Sequence, residues 1–357
     1  MVDLKFNYPT IDEEAELIKD FCKSTYFESK QILSYPSNEN LHNYKSDIYP
    51  LLKLPENIFP QLINIVICNG GNHALSCTLR SLRKNHKNII TDRFFYSFFK
   101  LIASELGYDI YSCGSDEEGM VIDELETIID ETKATLIYLQ PTIHNPTNMV
   151  MSLDRKRKIA ELANKKDIII IEDDAYRFLH TNPTPRFIDL IPEQTFHIFS
   201  LSKPFNSLIR TAFLIYPDKF SNSINESIKF TSSGNSNFLN ALALYILSGN
   251  KYQNIVDKKR ELARNLQKIV LPLLNGLVVN TYPGSFHIWI DLPETVKSSD
   301  VVLKLAAEDI MISDGLDFLI DKQYSGNHIR IAIGTEKNRD KLKYAINKLR
   351  EIIKGSM

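Results

Sequence analysis

Seven short apolar runs, separated by segments with helical spacing, constrain the fold of this chain most strongly. Several of these runs are continuously apolar instead of alternating, which is typical of strands that helices cover on both faces. Strand and helix candidates alternate along the sequence, so the pattern predicts an α/β fold with a mainly parallel seven-stranded sheet between helices. The strand candidates are Leu62 to Cys68, Asn88 to Thr91, Tyr108 to Cys113, Ala134 to Leu139, Asp167 to Ile171, Phe196 to Leu201 and Thr211 to Tyr216.

The C-terminal third has a different pattern, in which helix and strand candidates suit a smaller α+β unit. A chain of 357 residues is long enough for two domains. We expect an N-terminal arm with part of the small domain at residues 1–45, a large domain at 46–245 and the rest of the small domain at 246–357. Thr10 and Glu13 have the spacing of a capping box, which predicts a helix that opens at Thr10 and runs through about Lys23.

Composition excludes several classes of function. Hydrophobic residues make up 43% of the chain and charged residues 24%, and the formal net charge is -2, so we expect no nucleic-acid partner. No apolar run reaches the roughly 18 residues of a membrane span, and the first residues do not resemble a signal peptide. The four cysteines form no CxxC pair and have no zinc spacing, which favours a reduced, cytoplasmic protein with mostly buried thiols.

Four polar clusters follow apolar runs, at the points where the predicted strands end. They are residues 69–72, 141–146, 172–176 and 200–203. Ligands of parallel sheets bind beyond the carboxyl ends of the strands, so we expect these clusters to form one site. Together they hold a lysine amine, carboxylates, a glycine-rich turn, and amide and hydroxyl groups.

The residues alone leave alternatives open for each cluster. The Gly70-Gly71 turn suits a phosphate at a helix N-terminus, although many strand-to-helix turns need glycine. Asp173 could cap a helix, hold a proton on a ring nitrogen, or bind a metal with its two acidic neighbours. Consecutive strand residues point to opposite faces, which disfavours the metal. A lysine at the end of a buried strand, such as Lys203, is costly unless the site uses its amine.

These motifs, in this order, resemble the fold-type I pyridoxal phosphate enzymes of the aspartate aminotransferase superfamily (class I/II). Within that superfamily, the chain resembles the branch that contains the MocR regulators and the 2-aminoadipate-type aminotransferases. The resemblance covers nearly the whole chain, but the winged-helix domain of MocR proteins is missing from the sequence, so we expect no role in transcription. The residues behind the resemblance to this branch are the motifs Gln140 to Thr147, Ile171 to Tyr176, Ser200 to Lys203, Gly284 to Trp289 and His328 to Ile331.

The resemblance implies a role for each matching residue. Lys203 would form an aldimine with pyridoxal 5'-phosphate and move protons, and Asp173 would pair with the pyridine nitrogen. Arg330 would bind the α-carboxylate of the substrate together with Asn145. Asn145 and Tyr176 would contact the phenolic oxygen of the cofactor, and Tyr96 would cover the face of its ring. The implied phosphate contacts are Gly71, Asn72, Ser200, Ser202, Arg210 and, from a neighbouring subunit, Tyr35.

The function that the resemblance implies is transamination between an L-amino acid and a 2-oxo acid in a homodimer with shared active sites. The same cofactor serves elimination or replacement, cyclisation and decarboxylation, so these stay open, as does a sensor that binds the cofactor without catalysis. The substrate side chain is not specified. No additional arginine stands beside the motifs, which argues against a strict dicarboxylate substrate. Residues expected near the pocket are His42, Tyr44, Asn235, Asn237, His287 and Tyr324.

Overall fold

The large sheet of the protein contains all seven predicted strands. The computed structural model describes residues 1–28, 30–33, 48, 52, 62–320 and 327–356. Six of these strands are largely buried, whereas the strand within Tyr108 to Cys113 is mostly exposed or half-buried. The seven-stranded sheet of the sequence-based prediction is confirmed. The seven strands are β2 (Ile63–Cys68), β3 (Asn88–Asp92), β4 (Asp109–Cys113), β7 (Leu136–Leu139), β8 (Ile169–Asp173), β9 (Thr195–Ser200) and β10 (Ala212–Pro217).

The order of the strands in the large sheet is β2-β10-β9-β8-β7-β3-β4. The pairs β3–β4, β3–β7, β7–β8 and β8–β9 are parallel, whereas β10 is antiparallel to both of its neighbours. The sheet is therefore mainly parallel, as predicted, with one reversed strand. Strands β2, β7, β8 and β9 run in the same direction, so their carboxyl ends lie at one edge of the sheet.

Helices cover both faces of the large sheet, which explains its continuously apolar strands. Ile169 and Ile171 pack into one core cluster, and Ile168 and Ile170 pack into another on the opposite face. The helices are α1 (Glu13–Phe21), α2 (Thr25–Glu28), α3 (Gly71–Leu82), α4 (Ser97–Glu105), α5 (Ile122–Thr132), α6 (Leu153–Lys166), α7 (Phe187–Leu190), α8 (Ser221–Ser232), α9 (Asn237–Leu247), α10 (Lys251–Val270), α11 (Ser298–Ala307) and α12 (Arg339–Lys354).

A second, four-stranded sheet forms the core of the C-terminal part. Its strand order is β11-β12-β15-β14, and α10, α11 and α12 contribute buried residues to the same hydrophobic cluster. Val2 and Leu4 join that cluster from the N-terminal segment. The predicted domain boundaries stay a prediction. The remaining strands are β1 (Val2–Asp3), β5 (Ser115–Asp116), β6 (Gly119–Met120), β11 (Val278–Asn280), β12 (His287–Asp291), β13 (Ile310–Met311), β14 (Ser313–Asp314) and β15 (His328–Ala332).

The predicted start of the first helix is wrong. Helix α1 has Asp12 as its N-cap, and no side chain makes a capping hydrogen bond there. Thr10 lies before the helix because the backbone carbonyl of Pro9 is held by the buried Lys259 ammonium, at 2.9 Å, which keeps this segment extended toward α10. The capping-box spacing is therefore coincidental here.

Cysteine burial agrees with the prediction, since Cys68, Cys77 and Cys113 are buried and only Cys22 is exposed. All four thiols are free. Among the residues described, none of the helices combines the length and the apolar character that a membrane span requires. The cytoplasmic location stays a prediction.

Candidate functional site

Ten of the predicted site residues line one cavity at the carboxyl edge of the large sheet. This cavity, which we call the inner cavity, lies where β2, β7, β8 and β9 end. The structure therefore brings together side chains that are up to 139 positions apart in the sequence, from Gly71 to Arg210. They are Gly71, Asn72, Tyr96, Asn145, Asp173, Tyr176, Ser200, Ser202, Lys203 and Arg210.

Lys203 follows β9 and carries its amine into the inner cavity. Its Nζ donates a hydrogen bond of 2.6 Å to the backbone carbonyl of Asn7 and lies 4.2 Å from the ring centre of Tyr8. Burial, followed by the positive charges of Arg330 and Lys259, lowers the pKa of Lys203 to about 7. A large fraction of the amine is therefore neutral near pH 7, which is the form that reacts as a nucleophile or a base.

Asp173 is the last residue of β8 and is buried. Its Oδ2 accepts hydrogen bonds from the Tyr138 hydroxyl at 3.1 Å and from Gln140 Nε2 at 2.9 Å. Burial raises the pKa of Asp173 to about 6, while these two donors act in the opposite direction. The carboxylate has no ion pair with the described residues. It is thus a buried acceptor that can hold a cationic N–H group.

At the strand-to-helix turn, Gly70 lets the Arg210 guanidinium pack closely against the backbone. Gly70 has φ +86°, and a Cβ atom at this position would lie 3.1 Å from the Arg210 guanidinium. Arg210 itself has φ 44° and donates to the backbone carbonyl of Asn69 at 3.1 Å. Gly71 is the first residue of α3, so free N–H groups and the positive end of the helix dipole face this end of the inner cavity. A dianionic phosphate fits these donors.

Arg330 lies on β15 and lines a second cavity that adjoins the inner one. Its Nη1 donates to Asn145 Oδ1 at 2.8 Å, and its Nη2 donates to Ser313 Oγ at 3.0 Å and to the backbone carbonyl of Lys5. The buried Nε has no partner among the described residues. Tyr176 and Lys203 line both cavities, so a carboxylate bound by Arg330 would lie next to the Lys203 amine.

Two tyrosines bound the inner cavity. The Tyr96 hydroxyl donates to Asn72 Oδ1 at 3.2 Å, and the Tyr176 hydroxyl accepts from Asn7 Nδ2 at 3.2 Å. Burial raises the pKa of Tyr176 to about 12, so its hydroxyl stays protonated and can donate to an anionic oxygen. These positions agree with the roles that the resemblance implies, and the roles themselves stay predictions.

Some expected pocket residues are not at the cavities. Asn235 and Asn237 are buried near the start of α9, and Asn235 donates to Asn240. His287 is buried behind Tyr176, with ring centres 5.1 Å apart, and burial lowers its pKa to about 3. The predictions for Tyr35, His42, Tyr44 and Tyr324 fall outside the described residues.

Sequence reasoning missed the N-terminal segment and the partners of Asp173. Lys5 and Asn7 accept hydrogen bonds from Arg330 and Lys203 through backbone carbonyls, which leave no signal in the sequence, and Asn7 also donates to the Tyr176 hydroxyl through Nδ2. Tyr138 and Gln140 could have been found, because Tyr138 lies on β7 and Gln140 follows it by two positions, just after the strand ends, a spacing that points both side chains to the same face. The Tyr138 ring is fixed by stacking on Phe99, with centres 3.6 Å apart.

Two groups of metal-type ligands converge elsewhere in the described part of the chain. Glu172, Asp174 and His197 lie on the opposite face of the sheet from Asp173, and Glu172 already accepts from His197 at 2.9 Å. Cys68, His73 and Cys77 also converge, although their spacing in the sequence does not indicate a zinc site. His73 Nδ1 accepts the backbone N–H of Asn69, so its other ring nitrogen carries the proton in the neutral form, which disfavours metal binding there.

Curated relatives with similar sequences include regulators and aminotransferases. The HTH-type transcriptional regulator YdeF of Bacillus subtilis is 25% identical over 290 residues, which cover 81% of this chain and 63% of the relative. The mitochondrial kynurenine/alpha-aminoadipate aminotransferase of Bos taurus is 24% identical over 322 residues, which cover 83% of this chain and 75% of the relative. The chain spans 57% to 63% of the length of the two Bacillus subtilis regulators that it matches.

Solved structures and a family model cover almost the entire chain. A multiple substrate aminotransferase from Thermococcus profundus superposes with a TM-score of 0.90 at 19% identity, covering 100% of this chain and 92% of the other. This likeness shows the fold. The family model described as aminotransferase class I and II matches residues 1–349. The chain therefore belongs to the aminotransferase class I and II family.

Proposed function

We propose that this chain is a pyridoxal phosphate-dependent aminotransferase that moves the amino group of an L-amino acid to a 2-oxo acid. The observation that carries this proposal is the convergence of Lys203, Asp173 and Arg330 on two adjoining cavities. An amine, a buried carboxylate and a guanidinium are the three charged groups that the reaction of this family uses.

The described residues fit the cofactor. The Arg210 guanidinium, which packs closely on Gly70, and the start of α3 at Gly71 both face the inner cavity and suit the phosphate. Asp173 offers a carboxylate that lacks a cationic partner among the described residues, and a protonated ring nitrogen would supply one. Gly71, Asn72, Ser200, Ser202 and Arg210 would bind the phosphate. Tyr96 would cover the ring, and Asn145 and Tyr176 would reach its phenolic oxygen.

The chemistry that this cofactor supplies when bound is an aldehyde that reacts with amines and a ring that accepts electrons. Lys203 supplies the amine and the proton carrier, because a pKa of about 7 lets Nζ both accept and donate a proton near neutral pH. Arg330 orients the substrate carboxylate, so that the Cα–H bond comes within reach of Nζ. Tyr176, which stays protonated, contributes a donor beside Nζ.

We further propose that the amino donor has an aromatic or other large apolar side chain. Phe6, Tyr8, Phe98 and Phe318 line the cavity that contains Arg330. Phe318 also lies 5.0 Å below the Arg330 guanidinium. Two relatives support this choice, since they are named aromatic amino acid aminotransferases from Dictyostelium discoideum and Schizosaccharomyces pombe. Phenylalanine should therefore react with a higher kcat/KM than aspartate.

The experiment that tests the activity is an absorbance titration of the purified protein under anaerobic conditions. Amino acids are added one at a time, and a 2-oxo acid follows. Loss of the visible cofactor band with the amino acid, and its return with the 2-oxo acid, would support transamination. Release of ammonia would instead indicate elimination, and release of carbon dioxide would indicate decarboxylation. A band that no amino acid changes would favour a sensor. Lys203→Ala is the control, which should show no lysine-bound band.

We also propose a homodimer with shared sites. The motif around Tyr35 supports this, as do the exposed side chains of Leu208 and Phe230, at 82% and 79%, since such apolar groups are commonly covered in oligomers. Light scattering measures the mass. Mixing Lys203→Ala with Tyr35→Phe chains tests the sharing, because each hybrid dimer would contain one site with both native residues. Mixtures without any recovery of activity would refute it.

A further inference from the structure

A third cavity, which we call the outer cavity, lies between the two sheets and has no lining residue in common with the cavities described above. Its volume is about 520 Å³, which falls in the range of about 300 to 1,000 Å³ for small-molecule sites. The large-sheet part contributes Phe94 and Glu117, and the small sheet contributes Trp289, Asp291 and His328.

One wall of the outer cavity is aromatic. The rings of Trp289 and His328 are stacked, with centres 4.9 Å apart and planes at 18°. The Phe94 ring meets both of them edge-on at 5.0 Å. The three rings hold each other in place, so the wall is rigid before any ligand arrives. Such a wall accepts a flat or aliphatic group, and an aromatic face also attracts a cation.

The other walls carry negative charge. Asp291 and Glu117 line the cavity, and Glu117 has no ion pair within the described ranges. Asp291 accepts from His328 Nδ1 at 2.9 Å and has a side chain that is 35% exposed. Asp116 also lines the cavity, but Arg155 already binds it through two hydrogen bonds. Asp92 lines the cavity too and lies 3.7 Å from His144, and Arg93 adds a positive charge to the lining. With four carboxylates against one arginine, the lining is negative on balance, and Asp291 and Glu117 are the carboxylates that remain for a ligand.

Asn148 gives an independent indication of a ligand. It lines the outer cavity and is buried, and its Nδ2 donates to the backbone carbonyls of Asn280 and His287, at 3.2 Å each. Its Oδ1 has no partner within the described residues. Buried polar atoms normally have a hydrogen-bond partner, so this acceptor, which is buried close behind the wall, lacks a donor from the protein itself.

We propose that the outer cavity binds a small organic cation, an ammonium or guanidinium group attached to a flat or aliphatic body. The body lies against Trp289 and His328. The cationic N–H groups donate to the carboxylates of Asp291 and Glu117. A neutral ligand of the same shape loses the charge-assisted hydrogen bonds, and an anion meets a lining with four carboxylates and one arginine, Arg93.

The outer cavity is connected to the proposed active site through three short segments. His328 precedes Arg330 by two residues on β15, and Phe94 precedes Tyr96 by two residues. The backbone carbonyl of His144, which lines the outer cavity and is followed by Asn145, accepts from the buried His287.

Trp289 provides a direct signal, because it is the single tryptophan of the chain. The test is a fluorescence titration of the purified full-length chain with benzamidinium, which is flat and cationic. Benzamide has nearly the same shape without the charge, and benzoate has the opposite charge. We expect a saturable change with benzamidinium, and binding at least about tenfold weaker for the other two, since neither of them can make the charge-assisted hydrogen bonds to the carboxylates.

Two variants and one control locate the binding. Asp291→Asn and Glu117→Gln should each weaken benzamidinium binding about tenfold, while Glu118→Gln, a neighbouring carboxylate that does not line the cavity, should leave it unchanged. Circular dichroism confirms that the variants fold. A titration without saturation, equal binding of benzamide, or equal binding by both variants would overturn the proposal. Benzamidinium binding by a chain that transfers no amino group would leave it standing and refute only the proposed activity.

Discussion

Replacing Lys203 with methionine should stabilise the cofactor-free protein near neutral pH. Burial lowers the pKa of Lys203 from 10.5 to about 7, so the native state disfavours the protonated amine that the unfolded chain carries. The stability associated with this depressed pKa is complete above pH 10.5 and is lost as the pH falls toward 7. Methionine has a similar length and no charge, so it removes this penalty.

The magnitude follows from the two pKa values. A fall from 10.5 to about 7 corresponds at pH 7 to about 4 kcal/mol, at roughly 1.4 kcal/mol for each tenfold change in the dissociation constant. Lys203 is partly exposed, and solvent screening reduces this to about 2 to 4 kcal/mol. Methionine also loses the hydrogen bond to Asn7, which is worth about 1 kcal/mol. The expected net gain is therefore about 1 to 3 kcal/mol at pH 7, and it should vanish near pH 10.

Urea denaturation of the cofactor-free protein at pH 7 and pH 10, followed by circular dichroism, measures this difference. Lys84→Met, at an exposed position, is the matched control and should change stability little at either pH. A Lys203→Met variant that is no more stable than the wild type at pH 7 would refute the reasoning. So would a gain of equal size at both pH values, because a titrating amine cannot produce it.

Three further predictions concern the proposed cofactor and substrate contacts. Gln140→Leu removes a hydrogen-bond donor to Asp173, so the pKa of Asp173 should rise further. The affinity for the cofactor should then fall about fivefold at neutral pH and more in acid, where the carboxyl is protonated. Equal weakening at every pH would contradict this. Gly70→Ala brings a Cβ atom to 3.1 Å from Arg210 at φ +86°, so titration should show weaker binding of pyridoxal phosphate, while pyridoxal without phosphate serves as the unaffected control. Arg330→Lys should raise KM for the amino donor at least about tenfold, because lysine lacks the bidentate fork; an unchanged KM would speak against carboxylate binding.

The large sheet could be predicted because its strands are buried on both faces. Continuously apolar runs such as Ile168 to Ile171 are distinct in the sequence, and the polar residues that follow them had to meet at one edge once the strands were parallel. For this reason the sequence alone could assign Asp173, Asn145 and Lys203 to one predicted site. The reversed direction of β10 could not be predicted, since an apolar run has no direction.

The segment between β10 and α10 shows where the sequence gives no usable pattern. Helix α9 (Asn237–Leu247) is apolar almost throughout and buries residues on most sides. It therefore lacks a polar face, and its sequence shows no helical spacing of apolar residues. Helix α8 (Ser221–Ser232) is rich in serine and asparagine, which are weak helix formers. Tertiary packing stabilises both helices, and packing of that kind cannot be inferred from local spacing.

The contacts of the N-terminal segment have a consequence for reading function from related sequences. Lys203 and Arg330 donate to the backbone carbonyls of Asn7 and Lys5, and any amino acid at positions 5 and 7 offers the same carbonyl. Evolution can therefore vary both side chains without changing these hydrogen bonds, and alanine scanning leaves them in place. Variation in sequence at positions 5 and 7 would therefore show which side chains the fold tolerates there, but not how far these residues lie from the proposed active site. Shifting the path of the main chain, by deletion or by proline, is what would disturb them.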